Sequence, residues 1–150
     1  MPHLLLFAPC HKAIVDNADG SLSMIGVLYG FTATQQTNES LPDDAVAPIL
    51  WAAVSIWLRQ KDDGDRTFEQ RINITRPDGV ALLDTTVMQF KMTHRTHQLV
   101  LNAMGFPVGL DGEYRITLSL REAGTGDWNV VSEYPMLVTN NQREAANEQA

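Results

Sequence analysis

The chain has 150 residues, of which 44% are hydrophobic and 19% charged, and this size and composition fit one globular domain with its own core. Eighteen acidic residues against eleven lysines and arginines give a formal net charge of −7, so nucleic acid and anionic membrane are poor partners, because both require a basic surface. The single cysteine excludes a disulfide scaffold, and we expect a cytoplasmic protein.

Apolar residues recur along the chain with a period of two, which predicts an all-β fold. We expect a first strand at residues 3–15, whose apolar run is too short to span a membrane. The other strands are predicted at 22–31, 49–60, 68–75, 80–90, 98–106, 114–121 and 128–138. Residues 32–48 are expected to form a long loop that crosses between sheets. The prediction is one domain of about eight strands at 1–139, followed by a polar C-terminal tail at 140–150.

The segment 110–121 carries the clearest pattern in the chain. From Tyr114 onward, large apolar and polar residues alternate without a break, as in a strand with one wet face. Together with residues 110–113, Tyr114 matches the tyrosine corner of Greek-key sandwiches, in which the hydroxyl bonds to upstream backbone. Ile116 stands where an immunoglobulin domain has a cysteine. The motif predicts a single antiparallel Greek-key β-sandwich, immunoglobulin-like or C2-like, and the alternative is an ordinary core tyrosine.

Three segments of the chain carry a family resemblance. They are Phe7-Ala8-Pro9-Cys10, Gly20-Ser21-Leu22-Ser23-Met24-Ile25-Gly26-Val27 and Gly112-Glu113-Tyr114-Arg115-Ile116. Together they resemble a family of small uncharacterised bacterial and phage proteins, which is similar to immunoglobulin-like or C2-like sandwiches. That family has no assigned activity, substrate or cofactor, so the resemblance implies a fold and no functional residues.

The predicted strand at 50–60 carries apolar bulk on both of its faces. One face holds Ala52, Val54, Ile56 and Leu58. If that face lies against the core, Trp51, Trp57 and Arg59 lie on the opposite, exposed face. Tryptophan and arginine are enriched in binding hot spots, so these three residues are candidate partner contacts. The alternative is that both tryptophans are buried, one at an end of the core and the other beneath the 32–48 loop.

The reactive side chains do not form a catalytic pattern. Cys10 and His11 are neighbours on a strand and point to opposite faces, so the histidine cannot act as a base for the thiol. His94 and His97 would need at least one more ligand to bind zinc. The chain also lacks a glycine-rich phosphate loop and a Gly-x-Ser-x-Gly nucleophile turn. We therefore expect no catalytic residue, no metal ligand and no cofactor.

These observations favour a non-enzymatic β-sandwich that binds another protein or associates with itself. One alternative is a structural subunit of a phage or another multi-protein particle, as the family resemblance implies. A second is a weak calcium-type site where the loops 16–21, 61–66, 91–97 and 123–128 meet at one end of the sandwich. Those loops bring together Asp16, Asp19, Asp62, Asp63, Asp65, Asp127 and both histidines.

Overall fold

The computed structural model describes residues 1–35, 39–82 and 87–142, with the side chain of Gln142 excepted. These residues form two packed sheets and no helix, which confirms the predicted all-β class. The strands are β1 (His3–Val15), β2 (Leu22–Val27), β3 (Gly30–Gln35), β4 (Val46–Leu58), β5 (Thr67–Thr75), β6 (Ala81–Leu82), β7 (Met88–Lys91), β8 (Thr96–Pro107), β9 (Gly112–Glu122) and β10 (Asn129–Gln142). No helix of these ranges is long and apolar enough to cross a membrane.

The two sheets differ in size. The first sheet has the order β2-β1-β4-β8, and the second has the order β3-β10-β9-β5-β6, with β7 also paired to β5. All strand pairs are antiparallel except β3 and β10, which run parallel. The arrangement is consistent with a sandwich whose core lies between the sheets.

The structure has ten strands within the described ranges, where eight were predicted. β3 lies partly in the stretch predicted as a loop, because its pairing with β10 depends on a contact that is remote in sequence. A Cβ atom at Gly30 would lie 2.2 Å from the carbonyl oxygen of Leu137, so only glycine lets the two strands approach this closely. The predicted strand at 80–90 is represented by the separate strands β6 and β7.

The last strand also continues further than predicted. β10 reaches Gln142, and Asn140 and Asn141 pair with Ala33 and Thr34 of β3. The predicted tail therefore does not begin at residue 140. Its remaining part, 143–150, lies outside the described residues.

Alternating residues of both sheets fill the core between them. On β9, Ile116, Leu118 and Leu120 are fully buried, as the alternation in this segment predicts. Phe106 lies at the centre of an aromatic group, with its ring centroid 4.9 Å from that of Phe31 and 5.7 Å from those of Trp51 and Tyr114. This group joins β3, β4, β8 and β9.

The tyrosine of the predicted corner makes the expected hydrogen bonds. The Tyr114 hydroxyl accepts from the N–H of Leu110 and donates to the carbonyl of Leu110, both at 3.1 Å. Burial raises the pKa of this hydroxyl, which keeps it protonated and able to donate. The hydroxyl thus ties the start of β9 to the chain that precedes it.

A second apolar cluster lies on the outer face of the first sheet. Cys10, Ala52 and Val54 are buried there, in contact with Ala13, Leu22 and Met24 of the β1–β2 hairpin. The tip of that hairpin reaches β8, where Nε2 of Gln98 donates to the carbonyl of Gly20 at 3.0 Å. The hairpin therefore covers part of the outer face, and β4 is buried on both sides.

Candidate interaction surfaces

Both tryptophans of β4 lie in the core. Trp57 is 0% exposed and Trp51 is 4% exposed. Their indole N–H groups donate to Oε1 of Gln70 at 3.0 Å and to the carbonyl of Gly105 at 2.9 Å. The expectation that Trp51 and Trp57 form an exposed face is wrong. Both are buried, as the alternative interpretation predicts. Arg59 follows the end of β4 and is exposed, so its contact with a partner stays a prediction.

The misassigned face has a clear physical cause. Alternation shows that the two faces of a strand differ, but it does not show which face is covered when both are apolar. Here the face of Ala52 and Val54 is buried by the β1–β2 hairpin, while the tryptophan face lies between the sheets. A local pattern could not reveal the hairpin that covers the outer face.

A tryptophan and two arginines do meet on the outer face of the second sheet. The guanidinium carbon of Arg71 lies 4.5 Å from the ring centroid of Trp128, and that of Arg121 lies 4.3 Å from it. Both distances are within the range of cation–π contacts. Trp128 is half-buried, so part of its ring faces solvent. We call this surface, with the adjoining Glu69 and Asn73, the Trp128 face.

The two arginines of the Trp128 face differ in their partners. Nε of Arg121 donates to Oε2 of Glu69 at 2.6 Å, and Nε2 of Gln89 donates to the other carboxylate oxygen at 2.7 Å. Arg71 forms no ion pair with any residue that the structure describes, and its Nε is enclosed without an acceptor. Asn73, two residues along β5, has an enclosed Oδ1 without a donor. One arginine is neutralised and the other is not.

The Glu69 carboxylate provides a pH test of this arrangement. Hydrogen bonds from Gln89 and then from Arg121 hold the pKa of Glu69 below its ordinary value. A depressed folded-state pKa adds stability above the unfolded-state value of about 4.3, and this stability is lost as pH falls through the folded-state pKa. We expect Glu69→Gln to be less stable than wild type at neutral pH and the difference to shrink in acid. Urea unfolding at several pH values measures it, and a difference that stays constant with pH would contradict the prediction.

The loops predicted to share one end of the sandwich do make contacts there. Besides the bond between Gln98 and Gly20, the N–H of Arg59 donates to the carbonyl of Arg95 at 2.8 Å. The N–H of Ala123 donates to the carbonyl of Thr67 at 2.9 Å. The loop after β1 thus contacts β8 near its start, and the loop after β4 contacts the loop after β7. The loop after β9 contacts the first residue of β5.

Several acidic side chains of these loops bond to the backbone of their own turns. Asp16 accepts from the N–H of Ala18 at 2.7 Å, and Asp19 accepts from that of Ser21 at 2.9 Å. Asp63 is buried, with Oδ2 accepting from the N–H of Gln60 and Oδ1 lying 2.9 Å from the nitrogen of Met1 as an ion pair. In the described ranges no three His, Cys, Asp or Glu side chains gather to hold a metal. The structure therefore adds nothing in favour of the calcium-type site.

The thiol and the histidines that the sequence highlights are also dispersed. Cys10 is fully buried, and burial raises the pKa of its thiol, which disfavours the reactive thiolate. His97 stacks on Phe90, with ring centroids 5.1 Å apart and planes 9° apart. Burial, with a smaller effect of His94, lowers the pKa of His97. His94 itself is exposed.

The free edge of β8 is the second candidate surface. β8 is twelve residues long and last in its sheet, and no strand of the described ranges pairs with its outer side. Its sequence THQLVLNAMGFP contains His97 but no Asp, Glu, Lys or Arg. Met104 is 76% exposed, and Leu50, which pairs with it on β4, is 66% exposed. Long, uncharged edge strands readily pair with another strand.

The comparisons with known proteins add no relative. No protein-family model matches the chain, and the search of curated proteins finds no match. The resemblance to small bacterial and phage proteins stays a prediction that rests on three short segments.

Proposed function

We propose that this chain is a non-enzymatic protein-interaction module that binds its partner through the Trp128 face. The observation that carries the proposal is Arg71, whose guanidinium lies over the half-exposed ring of Trp128 without a neutralising carboxylate in the described residues. Tryptophan and arginine are the residues that most often dominate binding energy at protein interfaces.

The chemistry of the Trp128 face indicates what the partner presents. Glu69 already supplies a carboxylate to Arg121, and Arg71 lacks the equivalent contact. A glutamate or aspartate of the partner would complete that second pair as a charge-assisted hydrogen bond. The partner is therefore a protein surface that offers a carboxylate.

We also propose that the two sheets form a Greek-key sandwich. In a Greek-key sandwich of the immunoglobulin-like or C2-like kind, strands that are consecutive in sequence often lie apart in space. The two packed sheets of this chain have that property. The hydrogen bonds between Tyr114 and Leu110 support it, because a tyrosine at this position is typical of Greek-key sandwiches.

The experiment compares proteins captured from a lysate of the native source by four immobilised forms of the chain. They are the wild type, Arg71→Ala, Trp128→Ala and the control Arg115→Ala. Arg115 is an exposed arginine on the same sheet face, opposite Thr75, and no aromatic ring of the described residues lies over it. We expect at least one protein whose capture falls about 30-fold in the first two variants and stays unchanged in the control, as loss of a hot-spot residue implies.

Only a captured protein that depends on both Arg71 and Trp128 supports the proposal. Circular dichroism of each variant establishes that the fold is retained before the comparison is made. If quantitative mass spectrometry shows the same captured proteins in the same amounts for all four forms, the Trp128 face is not the binding surface.

A further inference from the structure

The backbone of β8 shows which of its polar groups face the free edge. The bond from the N–H of Arg59 to the carbonyl of Arg95 lies in the same register as the β4–β8 ladder, so these two residues form a hydrogen-bonded pair. In an antiparallel ladder such pairs alternate with non-bonded ones. The odd-numbered residues of β8 therefore bond to β4, and the even-numbered residues direct their N–H and C=O groups outward. These are Thr96, Gln98, Val100, Asn102 and Met104.

The outward residues are symmetric about Val100, and this symmetry suits a two-fold axis. If two copies pair there in antiparallel orientation, Gln98 lies opposite Asn102 of the second copy and Thr96 lies opposite Met104 of the second copy. All outward N–H and C=O groups then find a hydrogen-bond partner. We propose that two copies of this chain form a homodimer through β8, centred on Val100, which joins their four-stranded first sheets into one continuous sheet.

The side chains that meet in this register are compatible. Val100 faces its own copy, and β-branched pairs stabilise neighbouring strands. The amide side chains of Gln98 and Asn102 face each other across the axis. Nε2 of Gln98 already donates to the carbonyl of Gly20, which leaves Oε1 free to accept from the amide of Asn102.

Met104 supplies a further complementary contact. Its side chain, although apolar, is mostly exposed in the single chain. In the proposed register it lies opposite Thr96 of the second copy. Thr96 lines a cleft of about 560 Å³ whose wall includes Ile56 together with the polar side chains of Asp19, His94, His97 and Gln98. Each copy therefore offers both an exposed methionine and a recess beside the position that the methionine of the other copy would take.

Charge also favours a second copy at this edge. The chain has a formal net charge of −7, so two copies repel each other over most of their surfaces. Between Thr96 and Pro107 there is no charged side chain apart from the titratable His97, and no proline before Pro107 interrupts the outward amides. Two other edge strands in the described ranges, β2 and β3, have only six residues each, half the length of β8. β2 and β3 carry no charged side chain either, so it is length that distinguishes β8, which offers the most backbone hydrogen bonds to a second copy.

Sedimentation of the wild type, Asn102→Pro and Asn102→Ala tests the dimer. Asn102 is exposed and its N–H points away from β4, so proline there removes no bond within the chain but blocks pairing with a second copy. We expect wild type and Asn102→Ala to sediment as a concentration-dependent dimer and Asn102→Pro as a monomer. A monomeric wild type at roughly 100 µM, or a dimer that persists in a folded Asn102→Pro protein, would overturn the proposal.

Disulfide formation between two single-cysteine variants tests the register without proline. A mixture of Gln98→Cys and Asn102→Cys proteins should give a cross-linked dimer under mild oxidation, because those positions face each other. Each variant alone places its two new cysteines about 14 Å apart along the strands, beyond the reach of a disulfide. Cys10 is fully buried and does not compete. Cross-linking by either variant alone, or none in the mixture, would rule out pairing centred on Val100.

Discussion

Replacing Trp57 with alanine should lower the free energy of unfolding by about 3–5 kcal/mol, the usual cost of deleting a large aromatic ring from a packed core. Trp57 is fully buried and stacks on Phe90 with ring centroids 5.9 Å apart. Its N–H shares Oε1 of Gln70 with the hydroxyl of Ser55, which lies 2.8 Å from that oxygen. The substitution therefore leaves a cavity and removes one of the two hydrogen bonds that the buried Oε1 of Gln70 accepts.

Urea unfolding followed by circular dichroism measures this loss. Trp128→Ala is the matched control, because it removes the same ring from a half-buried surface position and should cost only about 1 kcal/mol. If both substitutions cost the same small amount, Trp57 does not contribute to the core, and the exposed-face interpretation of β4 would have to be restored.

Replacing Gly109 with alanine should destabilise the protein by about 3 kcal/mol, at the upper end of the usual cost of overpacking. A Cβ atom at this position would lie 2.3 Å from the carbonyl oxygens of both Pro42 and Asp43. These are backbone atoms, which cannot rotate away as a flexible side chain would. Their displacement would also strain the nearby bonds from Ala45 to Pro42 and from Val108 to Ala45, each 2.9 Å long.

Gly126→Ala is the matched control for this substitution. Among the residues that the structure describes, no atom would lie within 4 Å of a Cβ at Gly126, and its backbone does not require glycine. Its stability should stay the same or rise by a few tenths of a kcal/mol through the reduced entropy of the unfolded chain. Thermal unfolding compares the two variants, and equal melting temperatures would show that the 42–45 segment yields without cost.

The parts of the fold that could be predicted from sequence are those that depend on neighbouring residues. Alternation on β9 identified Ile116 and Leu118 as core residues, and the spacing around Tyr114 indicated its bonds to upstream backbone. On β4 the same method assigned Trp51 and Trp57 to the wrong face. The difference is that β9 has one polar face, whereas β4 is covered on both sides by elements distant in sequence.

The Trp128 face was missed for a related reason. Arg71 and Arg121 each occupy the wet face of an alternating strand, and Trp128 follows a turn where no period applies. They become neighbours only because β5 pairs with β9 so that Glu69 lies opposite Arg121 and Arg71 opposite Ser119. The sequence does show an arginine on the solvent-facing side of each of two predicted strands. It does not show the register between these strands, which depends on residues far apart in the chain.

The parallel pairing of β3 with β10 has a consequence for biosynthesis. β3 lies in the first quarter of the chain, but its pairing partners begin at Leu137, roughly a hundred residues later. Those residues are synthesised after all the other strands, so the segment after Gly30 has no partner in the second sheet while the other strands are being made. Completion of the second sheet at this edge is therefore expected to be a late event, after residues 137–142 have left the exit tunnel.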